Sequence, residues 1–438
     1  MDWWIYLIIT LVMLVCFLIS GMPVAVAFML FNIIGTIFWV GGLNGLKNVA
    51  ANGFSNLSSF ALLPIPMFIF LGEVMFQSGL ATMMIDSVEK WIGRIRGSLS
   101  MIAVIGGAIF ATMSGSAASG VAVLGATLYP EMRARNYSTE MSIGPILGAG
   151  PLAVIIPPTA IGVLLATLAG LSVGKFLLAA IFPGFLLVFI YAIYIFVRAN
   201  LQPHLVPDPA FMPHITWGHR IKSALTVTPM ALIIFLVIGL IFLGITTPSE
   251  AAAAGALGAI LLSLCYGKLN LGMMRRSIEE TIKVTCMVLF IILGSQIFSQ
   301  ILAFTGITRG VVSLIIEAGL SPYVIMIFVQ LILIFLGCFV DAISIIMICV
   351  PIFMPIVASM GLDPIWFCVI FLVNIELGGI TPPFGLTIFI MKGVCGESTS
   401  INDIYKAGFP FLLMGLFCIA LLILFPQISL WLPSLMVR

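Results

Sequence analysis

The sequence predicts an all-α polytopic membrane protein, an inverted repeat of five transmembrane helices plus one re-entrant hairpin in each half. Three observations carry this prediction. Of the 438 residues, 62% are hydrophobic and only 8% charged, and apolar runs long enough to cross ~30 Å of hydrocarbon recur from end to end. Displaced by 225 residues, the chain reads over itself: Pro23 falls on Pro248, Tyr129-Pro130 on Met354-Pro355, and Ile156-Pro157-Pro158 on Thr381-Pro382-Pro383. Basic residues swap sides between the copies, because Lys90, Arg94 and Arg96 map near a segment holding only Arg309, whereas Lys47 faces Lys268, Arg275, Arg276 and Lys283. An odd number of crossings per half inverts the second copy and produces this swap.

With the start outside, spans fall near 3–20, 22–40, 60–78, 139–170 and 176–197 in the first repeat, residues 1–197. The second repeat, 223–438, places them near 223–244, 250–266, 284–304, 364–391 and 407–428. Apolar stretches at 98–130 and 323–355 must leave the membrane on the side they enter, which makes each a re-entrant hairpin. All of the 18 Lys and Arg residues are then cytoplasmic except Lys47, Lys175, Arg309 and Arg438, and both termini are periplasmic.

The polar segment between the halves, read as a cytoplasmic connector over 198–222, holds Pro203, Pro207, Pro209 and Pro213 and is too short to fold as a domain. Its histidines, His204, His214 and His219, are spaced poorly for a metal site. Eight scattered cysteines without paired spacing indicate free thiols packed as small hydrophobes. The start, Met1-Asp2-Trp3-Trp4, lacks a basic signal-peptide region, so the first apolar run is expected to be retained. No soluble domain is left over, and nothing points to nucleic acid.

The hairpin tips carry chemistry. In the first, Thr112-Met113-Ser114-Gly115-Ser116-Ala117-Ala118-Ser119-Gly120 is a run of small and hydroxyl residues in mid-hydrophobic sequence. Backbone is irregular at membrane depth only where protein or a water-filled cavity satisfies it. A break here would expose carbonyls to Na⁺ and half-helix N–H groups to an anion. The alternative is that Ser and Gly simply allow close helix packing. The offset sets Asp341, in Gly337-Cys338-Phe339-Val340-Asp341-Ala342-Ile343-Ser344, opposite Ser116. Asp341 can bind a cation, hold a proton or cap a half-helix; a cation-linked or substrate-proximal role is favoured.

Twin prolines make the second pair of breaks. Pro157-Pro158 and Pro382-Pro383 each remove two successive N–H donors and push the preceding residue out of helical geometry. Glycines beside them, Gly148 and Gly150 in one half and Gly378 and Gly379 in the other, are expected to free carbonyls for a hard cation. Candidate substrate contacts are Ser114, Gly115, Ser116, Thr159, Asp341, Ser344, Asn374 and Thr381. Candidate Na⁺ ligands are Ser114, Ser116, Gly148, Gly150, Pro157, Asp341, Gly378, Gly379 and Thr381. Glu73 is a weaker intramembrane signal, and Thr247-Pro248-Ser249-Glu250 reads as a capped helix start. No Lys or Arg lies at a tip, so an anion would be held by half-helix dipoles, hydroxyls and bound cations, or by an arginine reaching in from a hairpin base.

Met67-Phe68-Ile69-Phe70-Leu71-Gly72, Ser114-Gly115-Ser116-Ala117-Ala118, Ile155-Ile156-Pro157-Pro158-Thr159, Thr247-Pro248-Ser249-Glu250-Ala251-Ala252-Ala253 and Gly378-Gly379-Ile380-Thr381-Pro382-Pro383-Phe384-Gly385 occur in this order. The whole chain thereby resembles the large membrane subunit of tripartite ATP-independent periplasmic (TRAP) transporters, dicarboxylate-transporter M type. The resemblance implies a bacterial inner-membrane secondary transporter importing an organic acid with Na⁺: a C4-dicarboxylate, sugar acid or sialic acid. It implies two partners, a four-helix membrane subunit, expected here as a separate chain, and a periplasmic substrate-binding protein. It also implies an elevator, in which a transport domain holding hairpins and broken helices slides against a scaffold.

A stand-alone ion-coupled organic-anion symporter of related hairpin architecture is the main competitor. A channel would need acidic residues recurring along one span, and they do not. An intramembrane enzyme would need a nucleophile and base on spans, and every histidine lies in one loop. There is no Gly-x-x-x-x-Gly-Lys phosphate loop, so ATP is not the direct driver.

Overall fold

Proline, glycine and hydroxyl residues cut the apolar sequence into twenty α-helices in the computed structural model, which describes residues 2–92, 95–114, 117–207 and 217–436. The first half holds α1 (Trp3–Ile19), α2 (Val24–Trp39), α3 (Gly42–Leu57), α4 (Pro64–Gln77), α5 (Leu80–Ile92), α6 (Ser98–Ser114), α7 (Ala117–Ala134), α8 (Thr139–Ile155), α9 (Ala160–Leu168) and α10 (Val173–Leu201). The second holds α11 (Trp217–Phe242), α12 (Pro248–Cys265), α13 (Leu271–Phe304), α14 (Ile307–Glu317), α15 (Pro322–Gly337), α16 (Ala342–Ser359), α17 (Pro364–Gly378), α18 (Leu386–Cys395), α19 (Ile401–Leu424) and α20 (Gln427–Ser434). No strand occurs among the described residues.

Local signals place the ends. Ser138, Thr159, Ser172, Asn270, Ser321, Asp363 and Ser400 each cap a helix with a side-chain oxygen. Thr247 and Glu250 form a reciprocal capping box that starts α12. Displaced by 225 residues, α6 to α10 overlie α15 to α19, α1 and α2 overlie α11 and α12, and α5 overlies α14. One place differs in kind. Pro64 and Pro66 open α4 after a break from α3, whereas their equivalents Leu289 and Ile291 lie inside the continuous 34-residue α13.

Six described helices are long and apolar enough to cross a membrane, or seven if the bent pair α8–α9 counts as one span. Three expected spans are shorter than the sequence suggested: α1, α2 and α4 have 17, 16 and 14 residues. Their apolar runs are cut at Pro23, Gly41 and the Pro64-Pro66 start, where helical hydrogen bonding stops. Three helices outside the expected spans, α3, α5 and α14, carry polar and apolar residues on opposite faces.

Two sets of helices pack among themselves and meet where α13 packs on α16 and α4 on α6. In one, α4 packs on α12 and α13, α2 on α13, and α11 on α12. In the other, α6 and α7 pack on α8, while α15 and α16 pack on α17. The two halves interlock within this second group. α9 packs on α16 and α17, α18 on α7, and α8 on α19.

Candidate functional site

A cavity opens where the four interruptions meet. The first residues of four helices line it: Ala117 and Ala118 of α7, Ile161 of α9, Ala342 and Ile343 of α16, and Leu386 and Thr387 of α18. The first turn of a helix carries unsatisfied N–H groups and about half a positive charge, so four converging N-termini favour an anion without any basic side chain. Asp341, Glu376 and Gly379 complete its polar lining, which contains no Lys, Arg or His among the described residues.

The second hairpin supplies the sharper half of the site. Asp341 stands at the start of α16, where its Oδ2 accepts the Ser344 N–H at 3.1 Å and its Oδ1 accepts the Ser344 hydroxyl at 2.6 Å. Capping, the role the sequence left open but disfavoured, is therefore one of its jobs, and Ser344 is buried holding it. A carboxylate has about four lone-pair positions, and the exposed side of Asp341 faces the cavity. α15 meets α17 with no side chain between them. A Cβ on Gly378 would stand 2.4 Å from the Gly337 Cα, closer than any real contact, so both positions require glycine.

The break after α17 is a bonded turn, not an open strand of carbonyls. The Thr381 N–H donates to the Gly378 carbonyl at 3.0 Å, and the Thr381 hydroxyl to Leu377 at 2.7 Å. Thr387 donates both its N–H, at 3.1 Å, and its hydroxyl, at 2.5 Å, to the Gly379 carbonyl. That uses both lone pairs of Gly379, which removes it from the expected Na⁺ ligands in this conformation, while Gly378 keeps one. Pro383 accepts from the Tyr405 hydroxyl at 2.7 Å, fixing the turn to the start of α19.

The first half follows a different plan. α8 and α9 are bent by 48° across residues 156–159, and Thr159 is buried, its hydroxyl accepting the Gly162 N–H at 3.2 Å. Thr159 is thus a cap outside the cavity lining. Gly148 and Gly150 lie inside α8, not in the break: a Cβ on Gly148 would meet the Phe411 ring at 2.3 Å, and one on Gly150 would meet Val121 at 2.6 Å. Their absent side chains serve close packing. Pro157 and Pro158 have no N–H, so the carbonyls they free belong to Ala153 and Val154. The sequence marked the glycines because both flexible backbone and close packing select them. Ser114 ends α6, and Gly115 and Ser116 lie outside the described residues.

Asn374 also falls outside the lining. It is fully buried and donates to the Gln330 carbonyl at 2.9 Å and to Gln330 Oε1 at 2.6 Å, tying α17 to α15. Glu376 is the lining residue that the sequence reading above does not single out. It is 5% exposed, lines the cavity, and makes no hydrogen bond or ion pair with the described residues. Its signal was present as a second carboxylate at membrane depth, 35 residues after Asp341 in sequence. Glu73 lies elsewhere, accepting from Gln77 at 3.2 Å within α4.

Apolar helices, two of them interrupted at twin prolines beside a shared cavity, fit a helical membrane transporter. Residues 11–428 match the sequence model of the family described as "Tripartite ATP-independent periplasmic transporter, DctM component", and the chain belongs to that family of transporter permeases. It is 32% identical over 392 residues to the C4-dicarboxylate TRAP transporter large permease protein DctM of Pseudomonas aeruginosa, covering 89% of this chain and 90% of that one. Identity is 30% to the ectoine TRAP transporter large permease protein TeaC of Halomonas elongata, covering 96% and 97% of the two chains. The sialic acid TRAP transporter large permease protein SiaM of Vibrio cholerae is 26% identical, over 95% and 96%. In fold the chain is similar to the Alcanivorax borkumensis YdaH transporter, with a TM-score of 0.60 at 17% identity over 88% of this chain and 89% of that one.

Proposed function

We propose that this chain is the large permease of a Na⁺-coupled system that imports an organic acid across the bacterial inner membrane. A periplasmic binding protein would deliver the acid, and a separate four-helix subunit would complete the scaffold. The observation that supports this reading best is the convergence of four helix N-termini and two carboxylates on one cavity. Half-helix termini hold the anion, and Na⁺ neutralises the load. Asp341, Gly378 and Thr381 are the proposed ligands in the second half, with Ser114, Ser116 and the Pro157 carbonyl in the first. An uncompensated charge at membrane depth costs at least ~2.5–3.5 kcal/mol, so a loaded cavity crosses more easily than a half-loaded one.

The movement proposed is an elevator: the group holding α6–α10 and α15–α19 slides against the group built on α2, α4, α11, α12 and α13. Both termini lie on the periplasmic side in this reading. Lys175, residues 244–248, Pro433, Ser434 and Met436 line one groove, and the basic-residue pattern supports putting all of them on that side.

The test is uptake into proteoliposomes holding both membrane subunits, with the binding protein outside and Na⁺ and pH gradients varied separately. Accumulation driven by inward Na⁺ alone is the expected result. Accumulation that ignores Na⁺ contradicts the coupling, and full uptake by the large subunit alone contradicts the partners.

A further inference from the structure

We infer that Ser295 is a positioning residue of the transport step, a hydroxyl on α13 that holds the second hairpin in the conformation described and releases it when the hairpin moves. This rests on the reading of α13 as part of the static group and α16 as part of the sliding one.

The need for a hydroxyl comes from Pro351. Inside α16 the Met347 carbonyl would accept the N–H four residues on, and the proline there has none. A buried carbonyl without a donor is costly. The missing donor comes from another helix: the Ser295 hydroxyl donates to the Met347 carbonyl at 3.1 Å. Ser295 is 2% exposed and Met347 1%, so water does not stand in for it.

The contact is supported on both sides. Asn32 on α2, also buried, donates to the neighbouring Gly294 carbonyl at 2.7 Å and fixes α13 at this level. The Met347 sulfur lies over Gly294, 3.6 Å from where a Cβ would stand. Asp341 begins α16 on the cavity, less than two turns before Met347, so a hold on Met347 also sets the position of Asp341.

Two comparisons within the chain single this bond out. In the first half the offset puts Ala126 in the place of Pro351 and Phe70 in that of Ser295. Proline and serine are absent together, because Ala126 has an N–H for the Ala122 carbonyl. Elsewhere, Pro145 in α8 frees the Met141 carbonyl, and Ser100 on α6 donates to it at 2.6 Å. That pair uses the same device, but α6 and α8 pack within one sliding group and keep their bond throughout. Ser295 and Met347 belong to different groups. Sliding of α16 along α13 separates them, so the bond favours the conformation described over the others in the cycle.

The test uses the complex of both membrane subunits in proteoliposomes, with the binding protein outside and the eight native cysteines replaced. Ser295→Cys combined with Met347→Cys is cross-linked with copper phenanthroline. Uptake is expected to be lost on oxidation and to return with dithiothreitol, while Na⁺ still raises the melting temperature of the cross-linked protein. Uptake that persists in fully cross-linked protein overturns the inference. A second pair, Phe76→Cys with Phe110→Cys, replaces rings that meet at 5.8 Å between α4 and α6 and separates this failure from that of the elevator. Uptake blocked there but free at 295–347 strikes only the role of Ser295, and uptake free with either pair cross-linked strikes the sliding as well. A further arm needs no cross-link. Ser295→Ala is expected to lower the melting temperature of the otherwise native complex and to leave it unchanged in a Pro351→Ala background, where the helix again supplies the donor. Equal losses in both backgrounds overturn the inference.

Discussion

The two halves of this protein share a fold unit and differ in chemistry. Ala149 occupies the place of Asn374, Pro151 that of Glu376, Ser116 that of Asp341, Ser114 that of Phe339, and Thr159 that of Phe384. The first copy is therefore neutral and packed through small residues, with α6, α7 and α8 in close contact at Gly107, Ala149 and Gly150. The second concentrates charge, a buried amide pair and exposed rings around one turn. Duplication supplies two helix breaks and four N-termini; divergence then gives one break most of the titratable and aromatic groups. A charge in one copy is an economical arrangement, since two buried acidic sites would each need a partner.

The largest effect tests whether the charge of Asp341 matters apart from its capping. Asn caps about as well as Asp, so Asp341→Asn should keep the fold while lowering Na⁺-driven uptake by roughly a hundredfold, the scale of losing a desolvated charge contact. Normal uptake by this variant would reduce Asp341 to a cap. Gly378→Ala comes next, because its methyl group meets the Gly337 backbone. Overpacking of this kind costs about 1–3 kcal/mol, read as a lower melting temperature together with lost uptake. The equivalent first-half position already holds Ala153, and Ala153→Gly should leave α6 and α8 packed.

Asn374→Ala sharpens the comparison at a smaller scale. It strands Gln330 without its buried partner, and an unsatisfied buried polar group costs about 1–3 kcal/mol. Stability should fall while the dependence of uptake on Na⁺ concentration stays as in wild type. A changed Na⁺ dependence would give Asn374, read from the sequence as a substrate contact, a role in the ion site. The smallest effect is expected from Ser138→Ala, which removes the cap of α8 and should cost about 1 kcal/mol of stability without altering transport.

Much of this was legible in the sequence. The offset and the twin-proline breaks are visible because proline and small residues interrupt apolar runs with few alternatives. Asp341 was legible because an aspartate is conspicuous at membrane depth. Gly148 and Gly150 misled, since a glycine that lets two helices touch and a glycine that frees a carbonyl look the same in one dimension. Asn374 pointed to a site when its partner, Gln330, lay 44 positions away on another helix. The amphipathic helices α3, α5 and α14 were missed because each is short and mixes polar with apolar residues, below the threshold of a spanning signal. The convergence of four helix starts needs the fold, as it joins residues from Ala117 to Thr387.

The most direct test of the asymmetry between the halves is a Na⁺ titration of thermal stability on the purified complex of both membrane subunits, comparing wild type, Asp341→Asn and Ser116→Ala. The account predicts that Asp341→Asn weakens the apparent Na⁺ affinity by about tenfold or more, with a smaller loss for Ser116→Ala. Equal affinity in all three proteins would contradict it.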